Sequence, residues 1–115
     1  MSLEAMRAQL NAAVAGALPG VAAANELCLA GVGLFGVDGA AVSMVFNGTS
    51  RGTFGSSSET SRRLDEYQFT FGEGPCLDAV AARAPVMVSD LDSPLEQRWP
   101  AFAGAALEDV VAGAA

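Results

Sequence analysis

Four breaks marked by glycine or proline divide the chain, and they constrain its fold more than any other feature. They are Pro19-Gly20, Asn47-Gly48, Gly72-Glu73-Gly74-Pro75 and Trp99-Pro100. Glycine and proline are the strongest local punctuators of secondary structure, so each segment between breaks is one or two short elements. In the first segment Ser2 can cap a helix, and Leu3, Met6, Leu10 and Val14 recur at spacings of three and four, one helical stripe. A second helix is predicted over 23–35, with Leu27, Ala30 and Leu34 on one side. Both stripes fit core packing or a dimer-forming helix, and neither is long enough for a coiled coil.

Residues 41–46 read as a strand with Val42, Met44 and Phe46 on one face. Asn47-Gly48 then gives a hairpin signal, because both central positions of a type I′ turn need positive φ. The return strand is predicted over 50–55. Gly52 and Gly55 weaken it and mark a bulge or a close approach by a ligand. Ser56 and Glu59 have capping-box spacing for a helix carrying Arg62, Arg63 and Leu64. Tyr67, Phe69 and Phe71 alternate with polar residues, which predicts a short extended segment. Pro75 suits the first turn of a helix holding Cys76, Leu77, Val80 and Ala81. Residues 85–88 read as a buried strand. Ser93, Pro94 and Glu96 read as a second capping box, and 101–111 as a last helix. Helices mixed with short strands around a central hairpin favour an α+β class with an antiparallel sheet over a parallel doubly wound one. The 115 residues fit one domain, with no repeat and no disordered linker.

Composition excludes several chemistries. All six basic residues are Arg, with no Lys and no His. The chain therefore lacks a Ser-His-Asp or Cys-His pair, a His-ligated haem, an HExxH zinc site, a P-loop lysine and a pyridoxal lysine. Two cysteines cannot build a four-cysteine zinc site or a disulfide framework. No metal and no cofactor are expected. A net charge of -7 opposes direct nucleic-acid binding, which needs basic residues to neutralise phosphates. No apolar run reaches the ~20 residues that span a bilayer. Residues 12–24 are uncharged and Ala-rich, but Glu4 offsets Arg7 and Pro19-Gly20 interrupts the run, unlike a signal peptide. The expectation is a cytoplasmic protein with reduced thiols and no membrane association.

Cys76 has two readings. A thiol in the first turn of a helix faces unpaired N–H groups and the positive dipole end, which favours thiolate. It is equally a small residue packed beneath the sheet, as free cysteine often is. Cys28, in an apolar helix, reads as structural. Arg62 and Arg63 fit an anionic ligand or a solvated face near Glu59 and Asp65. Asp90 and Asp92 fit a carboxylate site or a turn. Trp99 fits a core anchor or a pocket wall.

Three runs, taken in order, resemble the GAF domains of actinobacteria. They are Leu64-Asp65-Glu66-Tyr67-Gln68-Phe69-Thr70-Phe71-Gly72-Glu73-Gly74-Pro75-Cys76-Leu77-Asp78-Ala79, then Pro85-Val86-Met87-Val88-Ser89-Asp90-Leu91, then Arg98-Trp99-Pro100-Ala101-Phe102. Gly36-Val37-Asp38-Gly39-Ala40-Ala41-Val42-Ser43 adds to them, and the resemblance covers about residues 23–108. Such domains often precede an ANTAR RNA-binding domain in transcription antitermination regulators. The resemblance implies a GAF-like (PAS-like) antiparallel sheet of five or six strands flanked by helices, with 1–20 as an N-terminal helix and 21–115 as the GAF-like domain. It implies a cytoplasmic sensory or regulatory module for signal transduction, not an enzyme, that binds a small molecule or mediates dimerisation. Carried over by position, the ligand site would be lined by Phe54, Leu64, Phe69, Phe71, Cys76, Leu77 and Asp90. The implied partners are a small-molecule ligand and a second copy or another chain. Similar proteins continue into two more strands where this sequence reaches Ala115, so the expectation is a domain lacking its last strands and the ANTAR region. Two alternatives stay open. Free methionine sulfoxide reductases are also GAF proteins with a Gly-x-Gly-x-Cys segment, which would make Cys76 a catalytic thiol, although no further cysteine follows it. A non-functional truncated fragment is the other.

Overall fold

A computed structural model describes residues 2–46 and 49–114; for residues 46, 49–51 and 110–114 it describes backbone only. The elements run α1 (Leu3–Ala15), α2 (Val21–Phe35), β1 (Ala41–Phe46), β2 (Thr49–Ser56), α3 (Glu59–Phe71), α4 (Pro75–Ala82) and α5 (Pro100–Ala114). β1 and β2 form a two-stranded antiparallel sheet, so the class is α+β. The Asn47-Gly48 turn lies outside the described residues. Among the described residues two strands occur, against the five or six that the resemblance implies. No helix among them is long and apolar enough to cross a membrane.

Local signals account for most element ends. The Ser2 hydroxyl accepts from the Ala5 N–H at 3.1 Å, satisfying one orphan donor of α1. Pro75 opens α4 as expected. Four expectations are corrected. The run from Tyr67 to Phe71 is not extended but the last turns of α3. Leu64, Tyr67 and Phe71 also fall at helical spacing, and the Tyr67 and Phe71 rings lie 6.4 Å apart, one turn along the helix. The helix runs on to Gly72, whose φ of +69° lets the Glu73 N–H close back onto the Gln68 carbonyl at 3.1 Å. Its N-cap is Ser58 rather than Ser56: the Ser58 hydroxyl accepts from the Ser61 N–H at 3.1 Å. The Ser56 N–H is taken by Asn25 Oδ1 at 2.9 Å.

Residues 85–88 form no strand. Val86 and Val88 turn inward and Met87 is 82% exposed, so the in-and-out alternation is present. Among the described residues no neighbouring strand supplies a ladder; the Met87 carbonyl instead accepts from Arg98 Nη2 at 3.1 Å. Nor does a helix start at Pro94. The Ser93 carbonyl and hydroxyl accept from the Glu96 and Leu95 N–H groups at 3.0 and 3.2 Å, making turns. The Glu96 carboxylate is held by Arg98 at 2.7 and 2.8 Å instead of capping backward. The last helix begins at Pro100, and the Trp99 carbonyl accepts its first bond from the Ala103 N–H at 2.8 Å.

The chain divides into two compact units, Met1–Ser43 with Thr53–Arg62, and Met44–Gly52 with Arg63–Ala115. The boundary passes through the hairpin and through α3. In the first unit α1 packs on α2, and Ala24 and Cys28 are buried. Gly55 of β2 lies against α2: a Cβ there would stand 2.7 Å from the Ala24 carbonyl carbon and 3.0 Å from the Asn25 nitrogen. The Gly55 signal in this strand thus marks a close approach by a helix. In the second unit Trp99, Phe102 and Ala106 form the core, with Leu64, Tyr67, Val86, Val88 and Leu91 packed against it.

Candidate functional site

The first unit carries a groove of about 540 Å³ along α2, within the ~300–1,000 Å³ range of small-molecule sites. Val21, Asn25 and Leu29 line one wall, at the i, i+4, i+8 spacing that places them on one helix face. The facing residues are Thr53 to Glu59 and Arg62, from the end of β2 and the start of α3. Val21 and Leu29 are 55% and 49% exposed, so this wall is apolar surface open to a guest.

The polar groups of the groove are mostly engaged with one another. Arg62 Nη2 donates to both Glu59 oxygens at 2.8 and 2.7 Å, an i,i+3 pair. The Ser57 hydroxyl accepts from the Ala40 N–H at 2.9 Å and meets the Ser61 hydroxyl at 3.3 Å. The Ser58 hydroxyl caps α3 and donates to Ser61 Oγ at 3.1 Å. Asn25 Oδ1 accepts the Ser56 N–H, which fixes the amide so that its NH₂ is the prong left over.

Of the residues expected to line a ligand site, Phe54 is on this groove. The other six belong to the second unit. Leu64 packs against the Trp99 cluster. Phe69 and Leu77 are half-buried, and Phe71 is 44% exposed beside Tyr67. Asp90 is exposed, and its Oδ1 accepts from the Asp92 N–H at 3.0 Å, a turn in which a side chain mimics backbone.

Cys76 is exposed, which corrects its reading as a residue packed beneath a sheet, and Cys28 is buried as expected. Cys76 sits in the first turn of α4, and its N–H donates to Gln68 Oε1 at 2.7 Å. Gln68 is buried and also donates through Nε2 to buried Asp65 at 2.9 Å. Gly74 leaves room for it: a Cβ there would overlap the Gln68 side chain. One donor of the helix end that faces Cys76 is therefore already satisfied.

Trp99 is 2% exposed, and its indole N–H donates to Asp78 Oδ2 at 2.9 Å while the Arg98 guanidinium lies 4.3 Å over its ring. It is a core anchor. Arg63 donates to Asp109, through Nε at 2.9 Å and Nη2 at 3.1 Å. The Tyr67 hydroxyl donates to the same carboxylate at 2.7 Å. These two donors, Arg63 first, pull the Asp109 carboxyl down to about 2, and the bond to Asp109 raises the Tyr67 phenol. Among the described residues no cluster of three or more acidic, His or Cys side chains could hold a metal ion.

Sequence reasoning missed Val21, Asn25, Leu29, Ser56 and Arg62 as one site. The signal was present in part, as the i, i+4, i+8 row on α2. The chain matches no family model, no curated protein and no solved structure.

Proposed function

We propose that this chain is a sensory or regulatory module of the GAF type that binds a small molecule, and that the groove along α2 is its ligand site. The observation that carries the proposal is the groove itself. It joins an apolar wall on a regular helix to a polar rim at the start of another, the mixture by which ligand sites combine burial with orientation. The quoted GAF-like runs support the family part of the reading. A binding module is favoured over a catalyst because the sequence offers no His or Lys for acid-base work. With a net charge of -7, RNA binding is not part of the proposal.

The test is an amide NMR titration of the labelled 115-residue chain against a broad set of small metabolites. Saturable shifts at Val21, Asn25, Leu29, Phe54 and Ser56 are expected, and Leu29→Glu should remove them while leaving the spectrum dispersed. Saturable shifts confined to Gly72 through Leu77 would move the site to α4, and no saturable shift with any compound would sink the reading.

A second copy is the proposed companion for the outer face of the first unit. The observation favouring it is that no residue of α1 is buried, while Leu3, Leu18, Phe35 and Val37 are 67%, 77%, 53% and 46% exposed. Sedimentation equilibrium should give twice the chain mass of 11.6 kDa. A single 11.6 kDa species at high concentration would remove this part of the proposal.

A further inference from the structure

We infer that the groove along α2 selects an uncharged amphipathic small molecule with an apolar body and an amide-like head, and discriminates against an acid or amine of the same size. This rests on the groove being the ligand site. The argument comes from which of its polar groups are already committed. Glu59 and Arg62, the two charged residues lining it, bind each other through two short contacts of 2.8 and 2.7 Å. A carboxylate guest would meet an Arg62 already paired, with the Glu59 charge beside it, and an ammonium guest would meet a Glu59 already paired, with the Arg62 charge beside it. Either arrangement leaves one like charge beside the guest, on top of the cost of desolvating the guest's own charge.

The groups with capacity to spare are neutral. Asn25 has its carbonyl on the Ser56 N–H and its NH₂ left to give. Ser56 contributes a hydroxyl that both donates and accepts, whereas the Ser57 and Ser58 hydroxyls are held by Ala40 and Ser61. A donor and a donor–acceptor together match a carboxamide, whose carbonyl would accept from Asn25 and whose N–H would meet Ser56. Val21, Leu29 and Phe54 then offer the body of the guest an apolar wall.

Three probes of one chain length separate the possibilities: octanamide, octanoate and octylamine, each titrated into the labelled full chain at pH 7. The titrations are repeated at about 0.5 M salt, where charges beyond about 4 Å are screened and the net charge of -7 no longer sorts the probes. Octanamide is expected to shift the Asn25, Leu29 and Ser56 amides saturably, with octanoate and octylamine weaker by about two- to fivefold, the scale of an exposed ion pair. Glu59→Gln releases Arg62 from its carboxylate and should raise octanoate affinity by about threefold or more. If octanoate or octylamine equals octanamide at the groove, or if Glu59→Gln leaves octanoate unchanged, the inferred selectivity is overturned while the site stands. If none of the three shifts the groove amides, the site itself is overturned, and the selectivity with it.

Discussion

The two units of this chain are held together by opposite means. In the second, large side chains fill space: Trp99 and Phe102 are buried together, and Leu64, Tyr67, Val86, Val88 and Leu91 pack around them. In the first, small residues let backbones approach: Gly55 of β2 stands directly against Ala24 and Asn25 of α2, and the buried apolar side chains are Ala24 and Cys28. Volume burial gives stability through apolar area, about 25 cal/mol per Å². Close approach gives little area, but it fixes two elements relative to one another and leaves the larger apolar side chains of α2, Val21 and Leu29, free to line a groove. The unit whose buried side chains are small thus carries an apolar helix face left open along a groove.

The sharpest way to break this comparison is Trp99→Ala. The indole is 2% exposed, and its loss also removes the donor to Asp78, whose exposed carboxylate water can then solvate. A cost of about 3–5 kcal/mol is expected, measured by urea unfolding followed by circular dichroism. That is a large part of the ~5–15 kcal/mol stability of an ordinary domain. A loss under about 1 kcal/mol would mean that the aromatic cluster is not what holds the second unit.

The matching change in the first unit is Gly55→Val, which adds volume where Trp99→Ala removes it. The new Cβ would stand 2.7 Å from the Ala24 carbonyl carbon, a backbone atom that cannot swing aside. A cost of about 1–3 kcal/mol is expected, together with shifted groove amides at Asn25 and Phe54. In a free strand valine would stabilise, because it is a better strand former than glycine. A gain in stability would therefore show that the close approach does not define the groove wall.

The two units were not equally legible in the sequence. Signals confined to a few residues read correctly: Ser2 as a cap, Pro75 at the start of α4, the α1 and α2 helices, the β1 and β2 strands. Signals needing a distant partner did not. Tyr67, Phe69 and Phe71 fit a period of two over five residues, too short a window to exclude the helical row through Leu64, Tyr67 and Phe71 that the structure uses. Residues 85–88 read as a buried strand, but only Val86 and Val88 pack inward while Met87 is exposed, and a strand also needs a neighbour with which to share hydrogen bonds, which no local pattern reveals. Ser56 had the spacing of a cap, yet its N–H was claimed by Asn25, 31 residues away. The groove suffered most. Its α2 row was visible, but the facing wall depends on where β2 lies, and that is set by Gly55 against Ala24, a tertiary contact. Phe54 was the residue that both readings share.

Charge gives the finest contrast. In the first unit the Glu59–Arg62 side chains are 61% and 49% exposed, where water weakens a pair to little net worth. In the second, the Asp109 side chain is 9% exposed and takes hydrogen bonds from both Arg63 and Tyr67. Its folded-state pKa of about 2 lies below the ordinary carboxylate value of 3.8. Its contribution is therefore present above pH 4 and is lost as the pH falls from 4 through about 2. Glu96, lowered mainly by its hydrogen bond from Arg98, adds to the same acid limb. Tyr67 acts with the opposite sign. Its pKa is raised above 10.0, chiefly because its O–H bonds Asp109, so its contribution is present below pH 10 and fades as the pH rises through the raised value. The network should give a stability plateau between these limbs. Asp109→Asn should flatten the acid limb and lower the Tyr67 midpoint toward the ordinary phenol value. Tyr67 is the sole tyrosine of the sequence, so absorbance at the tyrosinate band reads it directly. An unchanged Tyr67 midpoint in Asp109→Asn would show that the hydroxyl does not engage this carboxylate in solution, and the charged network would then count for no more in the second unit than the exposed pair does in the first.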